Sequence, residues 1–192
     1  MDTSKKLAVL ALATIGVVLL VLWSLDAFGF RSPVFAFLLN WLAMSWVALA
    51  GQAIPFALPA SYYDIKTFER TGRVYERLGV PLFKKLVRRG PLAIFSPTLR
   101  FPKDKTIVAL QHLDHEMRKA EAGHVYIFLL MLVFTSYALL NGWFDAVGWL
   151  LAFNILINGY PIMLQRYNRL KLHELIQRQS ALTPLAATSS QS

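Results

Sequence analysis

Residues 7–25, 35–58, 125–140 and 146–164 form four apolar runs without a single charge. A helix rises about 1.5 Å per residue, so about 20 such residues cross the hydrocarbon of a bilayer. Inside lipid the backbone must satisfy its own hydrogen bonds, which makes helices the expected form of these runs. The chain is therefore expected to be an all-α integral membrane bundle of about four transmembrane helices. A cytoplasmic or interfacial helical segment would lie between the second and third. Lys5 and Lys6 precede the first run, as they would in a signal peptide. That run outlasts a signal core of roughly 7 to 15 residues and no small-x-small cleavage pattern follows it, so it reads as a retained anchor.

The net charge of +9 is uneven, with +6 carried by residues 56–123 and +3 by the chain from residue 165. Positive segments stay on the cytoplasmic side, which places both termini and the central segment there. This basic excess flanks the spans and no nucleic-acid motif accompanies it, so its expected partner is the anionic surface of the lipid bilayer. The absence of cysteine rules out disulfides, thiol catalysis and thiolate metal sites.

Between the second and third runs, residues 64–78 read as a charged helix in which Glu69, Arg73 and Glu76 line one face as solvated ion pairs. Residues 81–89 read as a short cationic amphipathic helix at the membrane interface. Together these make an amphipathic stretch over 64–89. Residues 90–103, rich in proline, read as an irregular interfacial loop and a possible lip for a lipid groove. Thr106 starts a central helix over 106–124 that leads into the third span. One helical domain over 1–180 and a disordered tail over 181–192 complete the expected organisation.

The polar residues of the central helix divide into two sets. His112, His115, Glu116 and Lys119 cluster away from Leu113 and Met117, with Glu116 and Lys119, and Asp114 and Arg118, in ion-pair register. His112, His115 and Glu116 also share a face that a metal could use, but no second motif complements them, so no metal is expected. Glu121 and His124 instead fall on the apolar face of Leu110, Leu113, Met117 and Ala120, where unpaired polar groups are costly. A carboxylate beside an imidazole suits a general base acting on a hydroxyl. A buried hydrogen-bonded pair tying the helix to its neighbours is the alternative. In the fourth span, Asn154, Asn158, Pro161, Gln165, Asn168 and Arg169 form one stripe. Asparagines there serve either a site or as glue between helices. Arg166 and Arg169 at its end serve either phosphate recognition or anchoring at the interface.

Three blocks carry a resemblance to a known family: Phe68, Glu69 and Gly72 running to Lys85 and Gly90; Glu116, Arg118, Lys119, Ala120, Glu121 and His124; and Asn158, Pro161, Gln165, Arg166, Tyr167, Asn168, Arg169 and Leu172. In order and spacing the chain resembles the glycosyl-4,4'-diaponeurosporenoate acyltransferases of staphyloxanthin-type carotenoid biosynthesis over residues 60–178. The resemblance implies a bacterial cytoplasmic-membrane enzyme that moves a fatty acyl group from a thioester to a sugar hydroxyl of a glycosylated carotenoid or related glycolipid. Acyl-CoA or acyl carrier protein would be the co-substrate, with no bound cofactor. Pathway enzymes or a second copy of the chain are further possible partners. On this basis His124 is assigned as base with Glu121 orienting it. Arg166 and Arg169 are assigned to donor phosphate or oxyanion, and Asn158, Asn168, Gln165, Tyr167 and Glu116 to the groups around them. Neither a Gly-x-Ser-x-Gly elbow nor a His-x4-Asp pattern occurs, which favours direct attack by the acceptor. The competing classes are a non-catalytic membrane scaffold of such a pathway and a His/Glu metalloprotein.

Overall fold

The computed structural model describes residues 3–51, 53–89 and 106–189. Its elements are α1 (Thr3–Phe28), α2 (Pro33–Ala50), 3-10 turns at Ala60–Tyr63 and Thr67–Glu69, α3 (Arg73–Arg77), α4 (Val80–Arg89), α5 (Ile107–Leu140), α6 (Phe144–Asn154), a π-helical turn Ile155–Gly159, and α7 (Tyr160–Ser189). Among the described residues there is no strand. Four helical segments, Ser4–Phe28, Pro33–Ala50, Ile107–Leu140 and Phe144–Gln179, are long and apolar enough to cross a membrane. This is a helical membrane protein. The contacts divide the chain, which its composition reads as one domain, into two units: residues 1–57 with 121–162, and residues 58–120 with 163–192.

In the first unit the core is made where α2, α5 and α6 bring Phe35, Leu39, Ile127, Met131, Ala138 and Leu150 together. Leu7, Leu12, Ile15, Leu19 and Leu22 of α1 stay more than half exposed, a face that water would not tolerate and acyl chains would cover. Gly29 turns the chain at φ 73°, the Ser32 hydroxyl accepts from the Val34 N–H, and Pro33 begins α2 where a missing N–H is harmless. Arg31 reaches across to Asp145 at 2.9 Å and ties this turn to the start of α6. Gly123 of α5 lets α2 approach closely, since a Cβ there would lie 2.9 Å from Val47 Cγ1. The second span stops at Ala50 rather than running to residue 58. Gly51 donates its N–H back to the Val47 carbonyl, and Pro55 could not have continued the ladder.

The second unit has its own small core of Leu110, Leu113, Met117 and Leu172. Thr106 caps α5, its hydroxyl accepting from the Ala109 N–H at 3.3 Å. The charged helix expected over 64–78 is instead broken into a 3-10 turn and the short α3. Gly72 breaks it by taking φ 70° with its Cα side against the Tyr167 ring, where an added Cβ would sit 3.3 Å from Cε2. Gly79, at φ 75°, then separates α3 from α4. The loop expected over 90–103 lies outside the described residues. α7 continues in helical form to Ser189, past the boundary at 181 where the composition reads as a tail; the alanines and leucines there are good helix formers.

Candidate functional site

In the first unit, three asparagines and one histidine from four elements meet inside the membrane-spanning helices, and the geometry fixes how each side chain points. Asn154 Nδ2 donates to the Phe128 carbonyl at 3.1 Å, and Asn40 Nδ2 donates to the Ala36 carbonyl at 2.9 Å. Carbonyls only accept, so both amides must turn their oxygens the other way. Those oxygens face Asn158, whose Nδ2 donates 3.0 Å to each of them. With both of its hydrogens committed, Asn158 presents Oδ1 to His124 Nδ1 at 3.3 Å. An oxygen there requires a hydrogen on Nδ1, and in the neutral ring that leaves the lone pair on Nε2. Two backbone carbonyls thus set a histidine tautomer through three amides.

The π turn Ile155–Gly159 carries Asn158 and runs directly into Tyr160 and Pro161. Proline lacks an N–H and crowds the preceding turn, and wide turns of this kind recur at functional sites. Asn40, Asn154 and Asn158 are all fully buried. One turn before His124, Glu121 is fully buried as well. The group that the His124 ring meets through Nδ1 is Asn158, where the spacing pointed to Glu121 as the orienting partner. A cavity of about 420 Å³ lies in the same unit among Val18, Leu22, Leu39, Trp46, Ile127 and Leu130, and its lining is almost wholly apolar. Its few polar groups are engaged within the protein: Trp46 Nε1 donates to Thr14 Oγ1 at 2.9 Å, and the Tyr126 hydroxyl donates to the Ala57 carbonyl at 2.8 Å.

The second unit is built on two carboxylates, the buried Glu69 and the partly buried Asp114, each grasping an arginine of α7. Glu69 pairs with Arg166 through both oxygens, Nε–Oε1 at 2.6 Å and Nη2–Oε2 at 2.7 Å. The same carboxylate accepts from the Tyr75 hydroxyl and from the Lys66 N–H. Arg166 also donates to the carbonyls of Tyr62 and Asp64. Asp114 accepts from Arg118 Nε at 2.7 Å and Arg169 Nε at 3.3 Å, with His173 Nε2 at 3.6 Å. Arg169 Nη2 donates to the Tyr63 carbonyl at 2.6 Å, and the Tyr63 ring lies about 5 Å from the guanidinium carbons of both Arg118 and Arg169.

Burial alone would push the Glu69 carboxyl up, but the hydrogen bonds from Arg166, Tyr75 and the Lys66 N–H outweigh it and hold the pKa at about 2. Burial and the Glu69 charge push the Tyr75 hydroxyl the other way, so it stays protonated as a donor. The linkage has a definite sign, because the folded value lies below the ordinary 4.5. The stability that Glu69 contributes is present above pH 4.5 and is lost as pH falls toward 2. Thermal unfolding of the detergent-solubilised chain should show its midpoint dropping across that window, with a shallower drop for Glu69→Gln.

The remaining expected site residues fall in several places. Tyr167 donates to Glu76 at 3.2 Å and stacks edgewise on Tyr75; Asn168 is fully buried and accepts from Lys84 Nζ at 2.6 Å; Gln165 is buried. Glu116 forms an exposed ion pair with Lys119 at 3.0 Å, outside both networks, and His112 and His115 are exposed. Among the described residues, no group of three His, Asp or Glu side chains is placed to hold a metal. Both arginines expected to meet substrate phosphate are spent on protein acceptors, because a bidentate carboxylate already neutralises Arg166 and Arg169 is 2% exposed. Sequence reasoning missed Asn40, Glu69 and the inward role of Asp114. Asn40 alone was readable, as the single amide in the second apolar run up to Ala50.

No curated protein and no solved structure matches the chain. The family model described as glycosyl-4,4'-diaponeurosporenoate acyltransferase matches residues 59–178, a range that takes in both carboxylate–arginine pairs, His124, Asn154 and Asn158 and leaves out Asn40. The chain belongs to the glycosyl-4,4'-diaponeurosporenoate acyltransferase family, whose name places it among the acyltransferases of carotenoid biosynthesis.

Proposed function

We propose that this protein transfers a fatty acyl group from an acyl thioester to a sugar hydroxyl of a glycosylated carotenoid or related glycolipid, with His124 Nε2 as the base. The observation that carries the proposal is the chain of amides from Ala36 and Phe128 to His124, since it presents a lone pair, held in one tautomer, inside a membrane protein of an acyltransferase family. Nε2 takes the proton of the sugar hydroxyl as its oxygen attacks the thioester carbonyl carbon. The tetrahedral intermediate collapses with cleavage of the carbon–sulfur bond, and the imidazolium returns its proton to the departing thiolate. Glu121 is the proposed electrostatic partner of that imidazolium. The apolar cavity suits an acyl or isoprenoid chain.

Arg166 and Arg169 are revised from substrate ligands to positioning residues, because their guanidiniums serve Glu69 and Asp114. Asn158 becomes the residue that orients the base, and Glu116 has no part in this reading. The donor is acyl-CoA or acyl carrier protein, and the setting is the bacterial cytoplasmic membrane with both termini on the cytoplasmic side, as the basic excess favours. The test is to incubate membranes holding the full chain with an isotopically labelled acyl thioester and a glycosylated carotenoid. A product with the acceptor's mass plus that of one fatty acid less water supports the reading, and label confined to donor and free acid contradicts it.

A further inference from the structure

The apolar cavity of the first unit is walled by α1, α2 and α5. Each side-chain donor in its wall is already committed. The Trp46 N–H goes to Thr14 Oγ1 at 2.9 Å, the Thr14 hydroxyl to the Leu10 carbonyl at 2.8 Å, and the Tyr126 hydroxyl to the Ala57 carbonyl at 2.8 Å. A sugar or phosphate placed there would lose its water without gaining a donor, whereas hydrocarbon enters without that cost.

The cavity is also short. Its α1 lining runs from Thr14 to Leu22 and its α5 lining from Tyr126 to Phe134. At about 1.5 Å per residue each stretch rises about 12 Å, against about 30 Å for the hydrocarbon of a bilayer. A conjugated polyene of carotenoid length is a stiff rod closer to the second figure, and it cannot fold into the first. A saturated chain can, because each of its single bonds turns among staggered wells. Position ties the cavity to the base. Ile127 stands one turn beyond His124 on α5, and Ala43 one turn beyond Asn40 on α2, so the helices that carry the two ends of the amide chain also wall the cavity. Val18, Leu22 and Leu130 line it too and are half-exposed, which opens it toward the surrounding lipid.

We propose that this cavity binds the fatty acyl chain of the thioester donor, with the thioester end toward His124 and the methyl end toward Phe134, and that the polyene of the acceptor lies outside it. The assignment to the donor rests on the acyl-transfer reading above; the preference for a short, flexible hydrocarbon does not.

The experiment uses the full chain in phosphatidylcholine nanodiscs and a long-chain acyl-coenzyme A with a photoreactive diazirine at its methyl end. Cross-linked residues are mapped by mass spectrometry. Val18→Trp adds bulk to the cavity from the exposed side of α1, and Leu12→Trp adds the same bulk to α1 outside the cavity. Label concentrated on Leu130 and Phe134, displaced by unlabelled acyl-coenzyme A, lowered about tenfold or more in Val18→Trp and unchanged in Leu12→Trp, supports the site. Label as strong on the lipid-facing Leu12 and Leu140 as on Leu130 overturns it. So does label that unlabelled acyl-coenzyme A leaves in place, or that Val18→Trp and Leu12→Trp affect alike. Cross-linking is scored whether or not transfer occurs. Cavity label without transfer contradicts the acyl-transfer reading alone, and transfer without cavity label overturns the cavity assignment alone.

Discussion

Replacing His124 with alanine is expected to lower acyl transfer by roughly 100- to 10,000-fold, the range that a positioned general base supplies. The protein should remain folded in the membrane. His124 is only partly buried and lies at the end of the amide chain, so its loss leaves one acceptor, Asn158 Oδ1, without its donor. That costs about 1–3 kcal/mol. The loss should appear in kcat rather than in KM, because a base acts on the hydroxyl in the transition state and contributes little to ground-state binding. Transfer within threefold of wild type by a well-folded His124→Ala protein would remove His124 from the mechanism.

Glu69→Ala should be the most destabilising single change in the second unit, at about 3–5 kcal/mol, since it strands a guanidinium that is almost wholly enclosed. The side chains of Arg166 and Glu69 are 12% and 4% exposed, and the pair shares two parallel hydrogen bonds. Removing Glu69 also strips acceptors from the Tyr75 hydroxyl and the Lys66 N–H. The companion change separates loss of contact from an unpaired charge: Glu69→Ala combined with Arg166→Met should be less destabilised than Glu69→Ala alone. Unfolding monitored by far-ultraviolet circular dichroism in detergent gives both values. A loss below about 1 kcal/mol for Glu69→Ala would indicate that solvent reaches the pair, as in an exposed ion pair.

The contrast between these two residues shows what the sequence could and could not convey. The four spans are legible because lipid demands long uncharged runs. His124 stood out because its imidazole falls on an apolar helical face. Its partnership with Asn158 was legible only in part, since the stripe of asparagines was visible but the π turn that carries Asn158 leaves no periodic signature. Asn40 entered the network from a distant helix, a pairing that no local pattern encodes. Glu69 was misread for a physical reason. Its i, i+4 and i+7 spacing with Arg73 and Glu76 fits a solvated helix, but the left-handed turn at Gly72 breaks that helix and turns the carboxylate inward to an arginine 97 residues away. Likewise Asp114 lies in register with Arg118, which it does meet, and that local pairing concealed Arg169. Charge patterning along one helix reports the neighbours in register. It is silent on long-range partners.

Catalysis by His124 requires that the amide chain leave the lone pair of the ring on Nε2. The ring nitrogen spectrum tests this directly in the full chain in nanodiscs, with labelled histidine and with His112, His115 and His173 replaced. At a pH where the ring is neutral, Nδ1 should resonate as the protonated nitrogen and Nε2 as the unprotonated one, and Asn158→Leu should release this preference. A ring protonated at Nε2, with the lone pair facing Asn158, would contradict the account.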